Sequence, residues 1–265
     1  MAFLTPVLIV TVIGLLAGLI LVIASKFMAV KVDERFNDVR DCLPGANCGA
    51  CGYAGCDQYA EALLKGDVPT NLCVPGGAGA ASALSAVLGV ECEAVAPKCA
   101  FVRCNGCTEH TQKEVDFDGP KTCKAASVYY GGDNACSYGC LGYGDCVAAC
   151  PYDAIHIVNG VAKVDKTSCV GCGICANTCP KHIISIIPMA AKAEVACSSK
   201  AKGAVVRKIC SSGCIGCGIC MKNCPAGAIT IQDNLASIDP EKCEGCGLCA
   251  QKCPVKAIHL LDEAE

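Results

Sequence analysis

Four cysteine runs that each end in Cys-Pro constrain this chain more than any other feature. They are Cys136/Cys140/Cys146/Cys150-Pro151, Cys169/Cys172/Cys175/Cys179-Pro180, Cys214/Cys217/Cys220/Cys224-Pro225 and Cys243/Cys246/Cys249/Cys253-Pro254, sixteen of the 28 cysteines in all. Three of the runs keep the spacing Cys-x-x-Cys-x-x-Cys-x-x-x-Cys-Pro, the bacterial arrangement for [4Fe–4S] ligation. Three thiolates so spaced wrap one face of a cubane, and the fourth corner is closed from elsewhere. Such a chain must fold around inorganic cores, and the chemistry those cores bring is electron transfer.

Where two runs are paired, the fourth Cys of each serves the other cluster. This assigns Cys169, Cys172, Cys175 and Cys150 to one cubane, and Cys140, Cys146 and Cys179 to its partner. In the second pair Cys214, Cys217, Cys220 and Cys253 hold one cubane, and Cys243, Cys246, Cys249 and Cys224 the other. The pairs form an internal repeat: Cys150 and Cys224, Cys169 and Cys243, and Cys179 and Cys253 are each 74 positions apart, as are Cys136 and Cys210, and Cys123 and Cys197. The register exposes one defect, since Tyr143 stands where the second copy has Cys217. Cys136 is the nearest replacement, giving the set Cys136, Cys140, Cys146 and Cys179; a three-iron or absent cluster is the alternative. Cys210 lies beside a complete set and reads as non-ligating.

A short β-prone run follows each Cys-Pro: Ala154 to Ile157, Ile183 to Ile186, Ala228 to Ile231 and Ala257 to Leu260. Two of these turn back as hairpins, through Asn159-Gly160 and through Gln232-Asp233-Asn234. The expected fold class is α+β: one N-terminal transmembrane helix, a small cluster-binding domain and two tandem ferredoxin-like double-cluster modules. Modules this poor in apolar core depend on their clusters to stay folded.

A different pattern stands nearer the N-terminus, in Cys48-Gly-Ala-Cys51-Gly-Tyr-Ala-Gly-Cys56, with Cys73 after a helix-like stretch from Asp57 to Lys65. Its glycines let the backbone turn tightly around a core, which suggests a fifth [4Fe–4S] site. Zinc is the alternative, because Cys-x-x-Cys pairs also suit tetrahedral thiolate ligation.

No charged side chain occurs from Ala2 to Ser25, and residues 4–24 are apolar enough to cross the bilayer as one helix. A cleaved signal peptide would need a basic stretch before the apolar run. Here the basic residues Lys26, Lys31 and Arg35 follow it, which places the bulk of a single-pass chain on the cytoplasmic side of the cell membrane. The expected divisions are an anchor (1–25), a neck (26–40), a 4Fe-4S domain (41–75), a Cys-containing connector (76–122) with a small-residue helix from Ala80 to Val90, and modules at 123–190 and 191–265.

In the connector, Cys99, Cys104 and Cys107, with Cys123 beyond, are a candidate sixth cluster; a structural zinc site or free buried thiols are the alternatives. Cys42, Cys92, Cys197 and Cys210 are left without a role. The histidines His110, His156, His182 and His259 read as ordinary strand or surface residues. Gly77-x-Gly79 follows no strand and lacks a third glycine, so it is no dinucleotide fingerprint. No catalytic nucleophile stands out. A formal charge of −3 with no basic block argues against nucleic acid as a partner. A cytosolic setting keeps thiols reduced and free for metal.

The membrane helix, the Cys48-Gly-Ala-Cys51-Gly-Tyr-Ala-Gly-Cys56…Cys73 domain and the ferredoxin-like runs, in that order, resemble the B subunit of the Rnf ion-translocating electron-transport complex. The resemblance implies a translocase subunit that takes electrons from reduced ferredoxin and relays them through other membrane subunits to NAD, with no catalytic site beyond its clusters. The extra module and the connector cysteines match a long polyferredoxin variant. An anchored polyferredoxin feeding a hydrogenase or heterodisulfide-type reductase differs in its terminal acceptor. A zinc-stapled interaction protein would be redox-silent.

Overall fold

The computed structural model describes residues 4–27, 33–92 and 95–261, with side chains over 7–26, 33–92 and 95–261. Lys31, the first residues of the expected anchor and the last of the expected second module lie outside the described residues. Helix α1 spans Leu4–Phe27. Its 24 residues reach about 36 Å at the α-helical rise, more than the ~30 Å hydrocarbon core of a bilayer. None of the segment Val7–Lys26 is buried against the rest of the protein. The Thr11 hydroxyl reaches back to the carbonyls of Val7 and Leu8 at 3.0 and 2.9 Å, so the segment's one mid-helix hydroxyl is satisfied within the helix, as lipid requires.

A three-helix domain follows, made of α2 (Phe36–Asp41), α3 (Cys56–Lys65) and α4 (Gly77–Leu88). Val39, Leu43, Tyr59, Leu63 and Leu84 form its core. Helix α4 begins three residues before the expected Ala80 and stops at Gly89, whose φ of +70° ends the helical hydrogen bonding in a left-handed cap.

The rest of the chain forms two α+β units. The first comprises β1 (Lys98–Val102), α5 (Cys123–Val128), α6 (Asp145–Ala148), β2 (Ile155–Val158), β3 (Val161–Val164), α7 (Ile174–Thr178) and β4 (Ile184–Pro188). The second comprises β5 (Ala193–Val195), α8 (Gly203–Ile209), α9 (Ile219–Lys222), β6 (Ile229–Gln232), β7 (Leu235–Ile238), α10 (Leu248–Lys252) and β8 (Ile258–Leu260). The expected hairpins form: β2 pairs with β3 around Asn159-Gly160, and β6 with β7 around Asp233-Asn234. Each unit has a second antiparallel pair that hairpin signals do not reveal, β1 with β4 and β5 with β8. The expected connector therefore supplies a strand to the first unit.

These pairings reset the repeat. Val102 lies opposite Ile184 and Val195 opposite Ile258, so Val102 corresponds to Val195 and Cys104 to Cys197. From Cys104 to Cys136 is 32 positions, against 13 from Cys197 to Cys210. The first unit thus carries 19 additional residues. They leave and re-enter at the bridge between Lys113 and Asn134, as an excursion that includes α5.

Candidate cluster-binding sites

In the N-terminal domain Cys48, Cys51, Cys56 and Cys73 line one cavity. The amide of Cys56 donates to Asn47 Oδ1 at 2.8 Å, which ties the glycine-rich loop to the start of α3. Buried Tyr59 fixes the return loop, with its hydroxyl 2.8 Å from the Pro69 carbonyl and 3.3 Å from the Leu72 amide. All four expected ligands therefore converge.

The second unit behaves likewise. Cys214, Cys217, Cys220 and Cys253 line one cavity. Cys249 is buried in a core cluster against which Cys224 and Cys243 pack, and it feels the thiols of Cys243 and Cys246. Local sequence sets this geometry. In each run a left-handed glycine, Gly144, Gly173, Gly218 or Gly247, starts a short helix that buries the third Cys, respectively Cys146, Cys175, Cys220 or Cys249. Gly216 is bound more tightly still: its φ is +63°, and a Cβ there would stand 2.7 Å from the Asn234 carbonyl in the β6–β7 turn.

In the first unit Cys150, Cys169, Cys172 and Cys175 are mutual neighbours. Cys140, Cys146 and Cys179 line one cavity, and the fourth thiol in its wall is Cys123. The expected fourth ligand, Cys136, is not in that wall; it lines a second cavity with Cys104, Cys197 and Cys210, whose wall Cys140 also shares. The cause is the excursion, which brings Cys123 back beside α6: the Asp145 carboxylate accepts from the amides of Cys123 and Lys124, both at 2.9 Å.

The candidate set Cys99, Cys104, Cys107 and Cys123 is not brought together. Cys99 sits in β1 against Ile187 and Ala191, Cys104 and Cys123 line different cavities, and Cys107 packs at the edge of the first unit's core. The linear spacing misled because β1 ends at Val102, leaving Cys99 and Cys104 on opposite sides of the strand's end.

The pockets suit thiolate-held cores. Burial pushes Cys146 and Cys104 up to about 12, and Cys175 and Cys220 up to about 11. Thiols so raised ionise at neutral pH only against a bound metal, so loading expels protons. Among the described residues no group of three Cys, His, Asp or Glu side chains is placed to hold a single metal ion, yet three sets of four cysteines each line a cavity of their own. Four thiols to a set is the right chemistry for [4Fe–4S] cores. Backbone amides also donate to sulfur: Ala154 to Cys150 at 3.4 Å, Ala257 to Cys253 at 3.3 Å and Ala100 to Cys169 at 3.3 Å. Such bonds favour the thiolate and tune cluster potential.

Family models agree with these positions. A model for an Fe-S cluster domain (FeS) matches residues 43–75, a 4Fe-4S binding domain matches 162–185, and a 4Fe-4S dicluster domain matches 213–257. Among curated proteins the chain is 46% identical over 231 residues to the B subunit of the proton-translocating ferredoxin:NAD(+) oxidoreductase complex of Clostridium ljungdahlii, covering 86% of this chain and 81% of that one. It is 42% identical to the B subunit of the Na(+)-translocating ferredoxin:NAD(+) oxidoreductase complex of Acetobacterium woodii, over 91% of this chain and 73% of the relative. With the B subunit of the ion-translocating oxidoreductase complex of Methanosarcina acetivorans it shares 40% identity, over 86% and 87% of the two chains. Identity at this level over nearly whole chains, on top of converging cysteine sets and an apolar N-terminal helix, shows that the chain belongs to the B-subunit family of Rnf-type ion-translocating ferredoxin:NAD(+) oxidoreductase complexes.

Proposed function

We propose that this chain is the membrane-anchored electron-transfer subunit of an ion-translocating ferredoxin:NAD oxidoreductase complex, taking electrons from reduced ferredoxin and handing them to other membrane subunits. The observation that carries the reading is the convergence of four cysteines on one cavity in the N-terminal domain and in each unit. When bound, [4Fe–4S] clusters supply one-electron carriers whose potentials are set by burial and by hydrogen bonds to sulfur. The protein's part is to hold and insulate them.

Five sets follow. Cys48, Cys51, Cys56 and Cys73 hold the first, and Cys150, Cys169, Cys172 and Cys175 the second. Cys123 joins Cys140, Cys146 and Cys179 for the third, in place of Cys136. Cys214, Cys217, Cys220 and Cys253 hold the fourth, and Cys224, Cys243, Cys246 and Cys249 the fifth. The two α+β units are thus tandem double-cluster modules. The N-terminal set lies beside the second, since Tyr152 feels Cys172 together with Cys48, Cys73 and Cys56. At the other end Cys217 and Cys246 are exposed, which suits entry from a soluble donor. Helix α1 spans the membrane, and Lys26 and Arg35 after it keep the remainder cytoplasmic.

Anaerobic purification with iron, acid-labile sulfide and zinc analysis tests the reading, together with visible spectra before and after adding reduced ferredoxin. Matched iron and sulfide and an absorbance bleached by ferredoxin support it. Zinc without bleachable colour overturns the carrier, and clusters that reduced ferredoxin leaves oxidised overturn the donor.

A further inference from the structure

The cavity that holds Cys136 is distinct from the cavities of the proposed sets. It is lined by Cys104, Cys136, Cys197 and Cys210, together with Cys140 of the third set. Cys104, Cys197 and Cys210 are buried and Cys136 is half-buried.

The four come from matching places in the two units. Strand register equates Cys104 with Cys197, and the 74-residue offset equates Cys136 with Cys210. Each unit thus gives one Cys two residues beyond its first strand and one four residues before Cys140 or its counterpart Cys214, and both pairs line the one cavity. Independent placement of free thiols has no reason to be symmetric in this way.

The sulfurs also receive the donors seen at the proposed ligands. Cys104 accepts from the amides of Gly106 at 3.4 Å and Cys140 at 3.3 Å. Its counterpart Cys197 accepts from the amide of Ser199 at 3.5 Å and from that of Cys214. Such a pattern waits for a thiolate, as at Cys150, Cys169 and Cys253. The junction itself is fixed by bonds between the units: Ser198 Oγ donates to the Arg103 carbonyl at 2.8 Å, Ser212 Oγ to the Asn105 carbonyl at 2.9 Å and Thr111 Oγ1 to the Ile209 carbonyl at 2.8 Å. Gly106 lies against two of the sulfurs, its Cβ position being in ordinary contact at 3.5 Å from Cys104 Sγ and 3.6 Å from Cys210 Sγ.

We infer that Cys104, Cys136, Cys197 and Cys210 hold a sixth [4Fe–4S] cluster, shared between the two units. The inference rests on the cluster-carrier reading and extends it. It gives roles to Cys197 and Cys210, which spacing alone leaves without any. It also makes the relay continuous: Cys140 lines both this cavity and that of the Cys123 set, and on the far side the amide of Cys214, in the next set, bonds to Cys197.

The test uses the full chain, purified without oxygen, with iron, sulfide and zinc analysis and Mössbauer spectra on the protein and on a Cys104→Ser/Cys210→Ser variant. Six cubanes give about 24 iron atoms per chain and five give about 20. The wild type is expected at about 24 and the variant at about 20, with the remaining clusters unchanged in spectrum. A Cys42→Ser/Cys92→Ser control, outside every cavity above, stays at the wild-type value. A wild-type count of about 20 that the variant does not lower overturns the sixth site and leaves the carrier reading standing. One zinc per chain, lost in the variant, overturns the cluster in favour of zinc. A wild type without iron and sulfide removes both readings. Should the double variant lose all its iron by misfolding, Cys136→Ser and Cys197→Ser decide: both must alter the same Mössbauer component, and different components refute a shared site.

Discussion

Replacing Cys123 by serine tests the reassigned ligand most directly. Cys123 opens α5 on an excursion that the second unit lacks, and several bonds set its position. The Asp145 carboxylate holds the Cys123 amide, and Thr122 Oγ1 caps the helix by accepting from the Ala125 amide at 3.1 Å. At the base of the excursion buried Asp133 accepts from Tyr143 Oη and Lys113 Nζ, both at 2.7 Å. Tyr143 also packs with Phe117 of the excursion, edge to face at 6.2 Å. The residue standing where a ligand is missing therefore pins the segment that supplies the substitute. Cys123→Ser should convert that cubane to a three-iron form, lowering iron by about one atom per chain, or by about four where the weakened core is lost. Electron paramagnetic resonance of the oxidised protein reads the first outcome directly. Adding Tyr143→Cys recreates the Cys-x-x-Cys-x-x-Cys spacing and should restore the iron. It also deletes a hydrogen bond to a charged acceptor worth about 1.5–3 kcal/mol, so the rescued chain should be cleaved faster by protease within residues 114–133. Full iron retention in Cys123→Ser, or rescue of Cys136→Ser by Tyr143→Cys, would refute the assignment.

Three further outcomes follow from local geometry. Gly216→Ala places a Cβ 2.7 Å from the Asn234 carbonyl at φ +63°; left-handed strain of about 1–2 kcal/mol plus that clash should cost the cluster of Cys214, Cys217, Cys220 and Cys253. Gly227→Ala, at φ +60° with open space around it, carries the strain alone and should keep its iron; equal losses in the two variants would contradict the clash. Tyr59→Phe strips the hydroxyl from the Pro69 carbonyl and the Leu72 amide, a desolvation penalty of about 1–3 kcal/mol. It should speed chelator removal of the N-terminal cluster several-fold while the others persist, and uniform release would refute the local role. Deleting residues 1–27 should move the chain from the membrane to the soluble fraction with its iron count unchanged; iron loss would mean that α1 supports the cluster domains.

Much of the architecture is legible in the cysteines, because ligand spacing is imposed by the size of the cluster rather than by the fold. Hairpins at Asn159-Gly160 and Asp233-Asn234 are equally local, fixed by turn residues between alternating runs. The non-local features escape. Lys98–Val102 carries no turn signal and becomes a strand only because β4 offers it an edge. Without that pairing a constant offset of 74 aligns Cys123 with Cys197; with it, Cys197 aligns with Cys104, and the intervening residues emerge as an insertion. One signal is present in the sequence: the excess separation of Cys104 and Cys136 over Cys197 and Cys210 marks extra chain beside the defective run. Nothing local in Tyr143 announces its contact with Asp133, which is ten residues upstream and depends on the excursion folding back.

The order of the cavities explains why a defective run and an extra pair of cysteines per unit belong together. A double-cluster module alone joins two cores through its crossed fourth ligands, so two modules in tandem make two separate relays. Between them lies the junction cavity, which shares Cys140 with the Cys123 set and touches the Cys214 set through the bond of the Cys214 amide to Cys197. Occupied by a cluster, it turns two relays into a single file from exposed Cys217 and Cys246 to the N-terminal domain beside Tyr152. Its ligands must then come from both units and cannot also serve within one. Cys136, the residue that linear spacing offers to the defective run, is committed to the junction. The run in turn takes its fourth thiol from the excursion, the segment added to the first unit and the one that carries Cys123.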